Sequence, residues 1–360
     1  MAPFLSRLTA GVPLRVALLT YVLGGAGGLL ARWAGLPLGV LLGAMVSVTA
    51  LSALDFRPWG QGLAVPQKWR NVLVPVIGVA IGASFPADFV AQARHWWVTM
   101  VALLVFVPMA QFLGYQLYSR VGGLTPPTAY YAAMPGGFIE SLEMGERAGA
   151  QMPMLIMLQF LRLILTIVAI PIAFSLIEGH AVGSAAGLSI AGTQPDLTLR
   201  HVAELVLLAL GGWFLASRLN FPAAVLSGPL LLSGLAHATG LTQAVPPGWA
   251  VLVTQWVIGT SLGARLSGFT RGQAGRALML AALNVSAMLC VATVIAWFLA
   301  PRVGEPMSAV VLAFAPGGVS EMSLVALSLH LSAVFVTMHH LARIVLAVLV
   351  SRAGLRFLRR

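Results

Sequence analysis

Ala132–Glu146 reads AAMPGGFIESLEMGE and interrupts a chain that is otherwise almost continuously apolar. Ala313–Leu327 reads AFAPGGVSEMSLVAL, and Pro135, Gly136, Gly137 and Glu140 recur there as Pro316, Gly317, Gly318 and Glu321, all at one constant offset. Downstream the register holds, with Arg162 recurring as Arg343 at the same offset. Each half of the chain thus carries Pro-Gly-Gly-x-x-Glu followed, at the same distance in both, by an arginine. Carboxylates and guanidiniums inside apolar segments are costly and mark functional sites by default. A Pro-Gly-Gly break frees backbone polar groups that the bilayer cannot satisfy, so protein or a water-filled cavity must cover them. Two such breaks at matching positions of two halves point to a transporter-type binding site.

Composition agrees with a membrane setting. Of 360 residues, 59% are hydrophobic and 9% charged, against about 25% charged in soluble domains. The net charge of +11 sits mainly in short loops and at the C-terminus, as the positive-inside rule leads one to expect, and no basic run is interleaved with aromatics. One cysteine, Cys290, excludes an intrachain disulfide framework and any multi-cysteine metal site. With no A-x-A-like cleavage site after a short apolar stretch, the N-terminus reads as retained. The fold expected is an all-α polytopic membrane protein of two homologous repeats, with about ten crossings plus two broken or re-entrant segments.

In order, the spans expected are 13–33, 36–54, 71–85, 96–118, a broken segment 126–147, and 152–177. The second half repeats them as 199–219, 222–240, 248–264, 273–300, a broken segment 306–329, and 332–351. The first repeat is 1–178, a Gly/Ala/Ser-rich linker is 179–197, and the second repeat is 198–360. Weak identities run through both halves: Pro37 and Gly43 match Pro222 and Gly228, while Gly78 and Gly82 match Gly259 and Gly263. Such nearly constant spacing indicates internal duplication. Charge placement favours inverted repeats, with fifteen basic residues inside and four outside, over parallel repeats, with twelve and seven. Both termini then face the cytoplasm.

The candidate substrate- or ion-binding set is Pro135, Gly136, Gly137, Glu140 and Arg162 from the first repeat and Pro316, Gly317, Gly318, Glu321, His340 and Arg343 from the second. Backbone N–H groups at the half-helix after each break favour an anion. Glu140 and Glu321 either cap their own helix or pair with Arg162 and Arg343, or else titrate and couple solute movement to protons or sodium. His339 and His340 stand where the first half has Leu158 and Gln159, as a proton relay or as hydrogen-bonding partners of a neighbouring helix. Glu143, Glu146 and Arg147 have no counterparts in the second copy and read as facing water at the segment's end. No H-E-x-x-H, Walker loop or dinucleotide fingerprint fits, so the residues predict neither an enzyme nor a metal site nor a cofactor.

The motifs MPGGFIE and APGGVSE, with LPLGVLLG at Leu36–Gly43 and FPAAVLSG at Phe221–Gly228, resemble the AbrB family of bacterial inner-membrane proteins. This resemblance covers essentially the whole chain as two copies of the family's membrane domain. It implies an inner-membrane protein, described in the family as a regulator of gene expression and often labelled an ammonia monooxygenase. The monooxygenase label fits these residues poorly, because no convergent His and carboxylate set can be assembled. No soluble DNA-reading module accompanies the regulator label, so any effect on transcription would be indirect. The small DNA-binding regulator that shares the name is not what this chain resembles. The expected function is secondary-transporter-like binding of a small anionic solute between the two broken helices, with a membrane sensor as the alternative. Expected partners are that small-molecule or ion ligand and the lipid bilayer, without direct nucleic acid; homo-oligomer formation is left open.

Overall fold

The computed structural model describes residues 11–36, 38–85, 89–178, 198–266 and 271–358, and the linker 179–197 lies outside them. Among the described residues the regular structure is helical throughout. In chain order the helices are α1 (Leu14–Trp33), α2 (Gly39–Ala53), α3 (Gln67–Gly82), α4 (Phe89–Ala93), α5 (Trp97–Gln116), α6 (Pro126–Ala132), α7 (Phe138–Arg147) and α8 (Met152–Glu178). They continue with α9 (Leu199–Arg218), α10 (Ala224–Ala238), α11 (Gly248–Gly263), α12 (Arg271–Val303), α13 (Met307–Phe314), α14 (Val319–Ser328) and α15 (Ala333–Leu358). A single π turn, Leu117–Val121, extends α5.

The protein is an all-α polytopic membrane protein. Among the described residues six helices have the length and apolarity to cross a bilayer: α1, α5 with its π turn, α8, α9, α12 and α15. They fall as three in each half, in matching order. Helices α2, α10 and α11 fall short of their expected spans, whereas α3 starts four residues before the expected 71–85; all four have only 15 or 16 residues. That is about 22–24 Å at 1.5 Å per residue, less than the ~30 Å hydrocarbon core. The start of α2 and of α10 is set by a left-handed residue, Leu38 (φ 50°) and Ala223 (φ 51°). Positive φ is uncommon outside glycine. Its appearance at equivalent positions of the two repeats shows that the halves share a backbone trace as well as a motif.

The chain forms two compact units, and each repeat contributes to both. The first unit is built from α1–α3 and α9–α11. Within it α1 packs on α2 and α9 on α10, while α2 crosses over to α11 and α10 to α3. Glycines set those crossings. A Cβ added to Gly78 of α3 would strike Leu226 O, and one added to Gly82 would strike Leu230 O and Ser233. Equivalently, Gly259 of α11 faces Leu41 O and Gly263 faces Met45 O and Val48. Leu41, Met45 and Val48 are the first-repeat counterparts of Leu226, Leu230 and Ser233, by the same offset that relates Leu38 to Ala223. The second and third helices of each repeat thus exchange partners around a local two-fold relation. Small residues permit this close backbone approach, which drives helix association in a bilayer where hydrophobicity cannot.

The second unit contains α5–α7 and most of α8 from the first repeat, with α12, α13, the start of α14 and most of α15 from the second. Here α5 packs on α6 and α12, and α12 on α13. Phe106 meets Phe314 edge to face with ring centroids 5.2 Å apart, and Gln111 bonds Ser351 at 3.0 Å. Both Pro-Gly-Gly breaks lie in this unit.

Candidate functional site

Both breaks form as the motif predicts. Helix α6 ends at Ala132 and α7 begins at Phe138, with Gly137 in the left-handed region at φ 68°. Helix α13 ends at Phe314 and α14 begins at Val319. Pro135, Gly136, Gly137, Pro316 and Gly317 are buried and Gly318 is half-buried. Ending a helix there leaves carbonyl oxygens without an intrahelical donor, and the long helix closing each repeat reaches back to supply one.

The two repeats do this with the same geometry. Arg162 on α8 donates from Nη1 to Met134 O, and Arg343 on α15 donates from Nη1 to Ala315 O, each across 28 residues. One turn earlier, Gln159 Nε2 donates to Tyr131 O at 2.8 Å and His340 Nε2 to Leu312 O at 3.0 Å, again across 28 residues. Cationic side chains at the carbonyl end of a helix also complement its dipole. The arginines and the Gln/His pair therefore clasp the C-terminal ends of the half-helices that precede the breaks.

Below that symmetry the two sites differ. Arg343 is nearly saturated: Nη2 donates to Gly317 O at 2.8 Å and to His340 Nδ1 at 2.8 Å, and Nη1 also reaches Phe314 O at 3.5 Å. A guanidinium only donates, so Nδ1 of His340 is the acceptor and its Nε2 carries the proton, which fixes a neutral ring. Arg162 has no such set of partners. Among the described residues its one side-chain hydrogen bond is to Met134 O, although the residue is only 2% exposed, while the Nε atoms of both arginines are alike in being buried without a partner there. Gln159 Oε1, one turn away on α8, is also buried without a partner among the described residues. Among the described residues no carboxylate bonds either guanidinium.

Among the described residues no ion pair joins Glu140 or Glu321 to Arg162 or Arg343, and both glutamates stand in the first turn of the half-helix after their break. Counting from Gly137 and Gly318, both glutamates are the third residue of their helix, the position whose carboxylate folds back on the N-cap. Glu140 Oε2 would lie 3.1 Å from a Cβ on Gly137, and a Cβ on Gly318 would overlap Glu321 Oε2. Ser320 Oγ donates to Glu321 Oε2 at 2.9 Å. Each carboxylate therefore lies over its own glycine: a Cβ on Gly318 would displace Glu321, and one on Gly137 would press on Glu140. Glu140 is half-buried and Glu321 buried.

The breaks also meet the other repeat. Gly136 of the first break packs against the α15 backbone, where an added Cβ would be 3.5 Å from Ile344 Cα and 3.6 Å from Arg343 O. Arg343 thus touches the first break with its backbone and holds the second with its side chain. Three further polar residues gather near the first break, of which the sequence singles out only Gln159, and that as the counterpart of His340. Asn284 on α12 donates to the hydroxyl of the wholly buried Tyr118 at 2.9 Å. A Cβ on Gly114 would touch both Asn284 Oδ1 and Ala133 of the break. His339, by contrast, binds locally, with Nδ1 on Phe335 O and Nε2 on Thr99 Oγ1, both at 2.8 Å. Glu143, Glu146 and Arg147 are exposed at the end of their segment, as expected. Among the described residues no three His, Cys, Asp or Glu side chains group as a metal site.

A family model described as "Transition state regulatory protein AbrB" matches residues 50–359, which include both breaks and both arginines. The chain belongs to the AbrB family. Among AbrB-family relatives, "Uncharacterized protein YhjN" of Bacillus subtilis (strain 168) is 26% identical over 349 residues, covering 90% of this chain and 88% of that protein. "Putative regulator AbrB" of Escherichia coli (strain K12) is 22% identical over 292 residues, covering 81% of each. This AbrB-family chain therefore aligns with relatives of its own size along most of its length.

Proposed function

We propose that the protein is a secondary-transporter-like membrane protein that binds a small anionic solute at the paired breaks, with Arg162 as the principal anion ligand. The observation that carries this reading is the under-used Arg162 guanidinium. A buried charge is ordinarily paired or fully hydrogen-bonded, because leaving it bare in a low-dielectric interior costs several kcal/mol. Among the described residues neither Arg162 nor Arg343 has a carboxylate partner, and Arg162 retains unused N–H donors. A planar guanidinium with free donors suits a carboxylate or another oxyanion, which it can grip through two parallel hydrogen bonds. Gln159 Oε1, an acceptor without a donor, favours a solute that also carries a hydroxyl or amino hydrogen near its anionic group.

In this reading Arg343 is chiefly the fixed clasp of the second break, and the solute binds on the first-repeat side. The glutamates at the two half-helix starts are the candidates for proton or sodium coupling, since movement of either carboxylate off its glycine would uncover helix N–H groups. The membrane is the bacterial inner membrane, the repeats are inverted and both termini are cytoplasmic, which the distribution of Lys and Arg supports. The name of the Escherichia coli relative favours a second reading, a membrane sensor that binds the same solute without moving it.

The test is uptake of a panel of labelled small organic acids into proteoliposomes carrying wild type or Arg162→Met. Protein-dependent accumulation of at least one acid, abolished in the variant, is the expected result. Saturable binding without accumulation would decide for the sensor. Undiminished uptake by Arg162→Met would remove Arg162 from the site.

A further inference from the structure

Within the second unit, α5 with its π turn and α12 enclose a groove of about 400 Å³, a size usual for ligand sites. Phe106, Ala110, Leu113, Leu283, Ala287 and Met288 are among its apolar walls. Polar groups gather toward one end, where Gln116 and Arg120 line it. Leu113, Leu283 and Ala287 are exposed, so the groove opens on the outer face of helices long enough to cross the bilayer. From Phe106 to Arg120 it runs about 20 Å at the helical rise, compared with ~15 Å for the hydrocarbon of one leaflet.

The basic end is where the helices leave the apolar zone. Arg120 sits in the last turn before Gly122 and Gly123, is exposed, and has no partner among the described residues. Arg276, near the start of α12, donates to Gly122 O, which brings a second guanidinium to the same end. No acidic residue lines the groove. An apolar channel one leaflet deep under two arginines at the interface complements a molecule with a long hydrocarbon chain and an anionic head. Leu117, Arg120 and Val121 of the π turn line the groove, and such a distortion is one that helices retain mostly at functional positions.

We propose that this groove is a binding site for one anionic phospholipid, with an acyl chain between α5 and α12 and the phosphate at Arg120. Asn284 lines this groove and also bonds Tyr118 beside the first break, but the lipid assignment does not rest on the solute reading. The test uses full-length protein, delipidated in detergent and titrated with dioleoylphosphatidylglycerol, dioleoylphosphatidylcholine or sn-glycerol 3-phosphate. Native mass spectrometry reads retained lipid and thermal unfolding reads stabilisation. Wild type should retain one phosphatidylglycerol with at least a several-fold preference over phosphatidylcholine, while glycerol 3-phosphate alone has no effect. Ala287→Trp, which fills the groove from its exposed side, should lose both lipids. Arg120→Gln, at an exposed and unpartnered position that does not endanger folding, should bind both lipids equally. Equal binding of the two lipids by wild type, retained selectivity in Arg120→Gln, or a full shift with glycerol 3-phosphate would each overturn the proposal.

Discussion

Arg162 and Arg343 occupy equivalent positions, yet their replacement should have unequal consequences. Either change to methionine removes one guanidinium that is almost wholly buried, at 2% and 1% exposure. Relief from burying a charge is therefore similar in both and cancels in the comparison. What does not cancel is the number of acceptors left behind. Arg162→Met orphans Met134 O alone, whereas Arg343→Met orphans Ala315 O, Gly317 O and His340 Nδ1. An unsatisfied buried polar group costs about 1–3 kcal/mol. Two additional orphans make Arg343→Met less stable than Arg162→Met by about 2–6 kcal/mol, a difference of roughly 3–8 °C in unfolding midpoint for a chain of this length. Thermal unfolding of the two purified variants in the same detergent, without added anion, measures it. Equal midpoints, or a lower midpoint for Arg162→Met, would refute the division of labour between a structural clasp and an available ligand.

Three further outcomes follow from contacts already described. His340→Gln copies the first repeat's Gln159 and should retain the bond to Leu312 O, while His340→Leu leaves that carbonyl and an Arg343 N–H unmet and should cost about 1–3 kcal/mol more, read by thermal unfolding. Gly318→Ala should displace the Glu321 carboxylate and so reproduce whatever Glu321→Gln does to solute binding, with a clear difference between the two counting against the fold-back geometry. Gly78→Ala and Gly259→Ala, which press on backbone carbonyls of the opposite repeat, should each destabilise by about 1–3 kcal/mol, whereas Gly275→Ala meets open space on α12 and should stabilise by about 0.5–1 kcal/mol.

Much of this arrangement is legible in the chain itself, because a duplicated membrane protein repeats what it cannot do without. The constant register of Pro-Gly-Gly-x-x-Glu and its arginine locates both breaks and the helix that closes over each. Span boundaries shift by two to seven residues at α2, α3, α10 and α15; at α2 and α10 the left-handed Leu38 and Ala223, each following a proline, delay the helix start. Two other features are not legible. Exchange of partners between repeats is a property of the assembled helices: Gly78 and Gly259 read as packing residues, but nothing in the sequence says against which helix. The arginine partners are also hidden, since a guanidinium in an apolar run calls a carboxylate to mind, whereas here the breaks themselves supply carbonyl acceptors. Tyr118 and Asn284 stand far apart in the chain without a shared motif, and only the fold brings them together. The equivalence of Gln159 and His340, by contrast, is available from the register alone, and it is the best clue that the two sites differ.

The central claim is that Arg162 holds an anion, and a thermal-shift titration of wild type and Arg162→Met against small organic and inorganic anions tests it most directly. At about 100 times its dissociation constant, a specific ligand stabilises the folded state by about 2.7 kcal/mol. At least one anion should raise the wild-type midpoint saturably and leave Arg162→Met unmoved; an equal rise in both proteins, or no rise with any anion, would contradict the account.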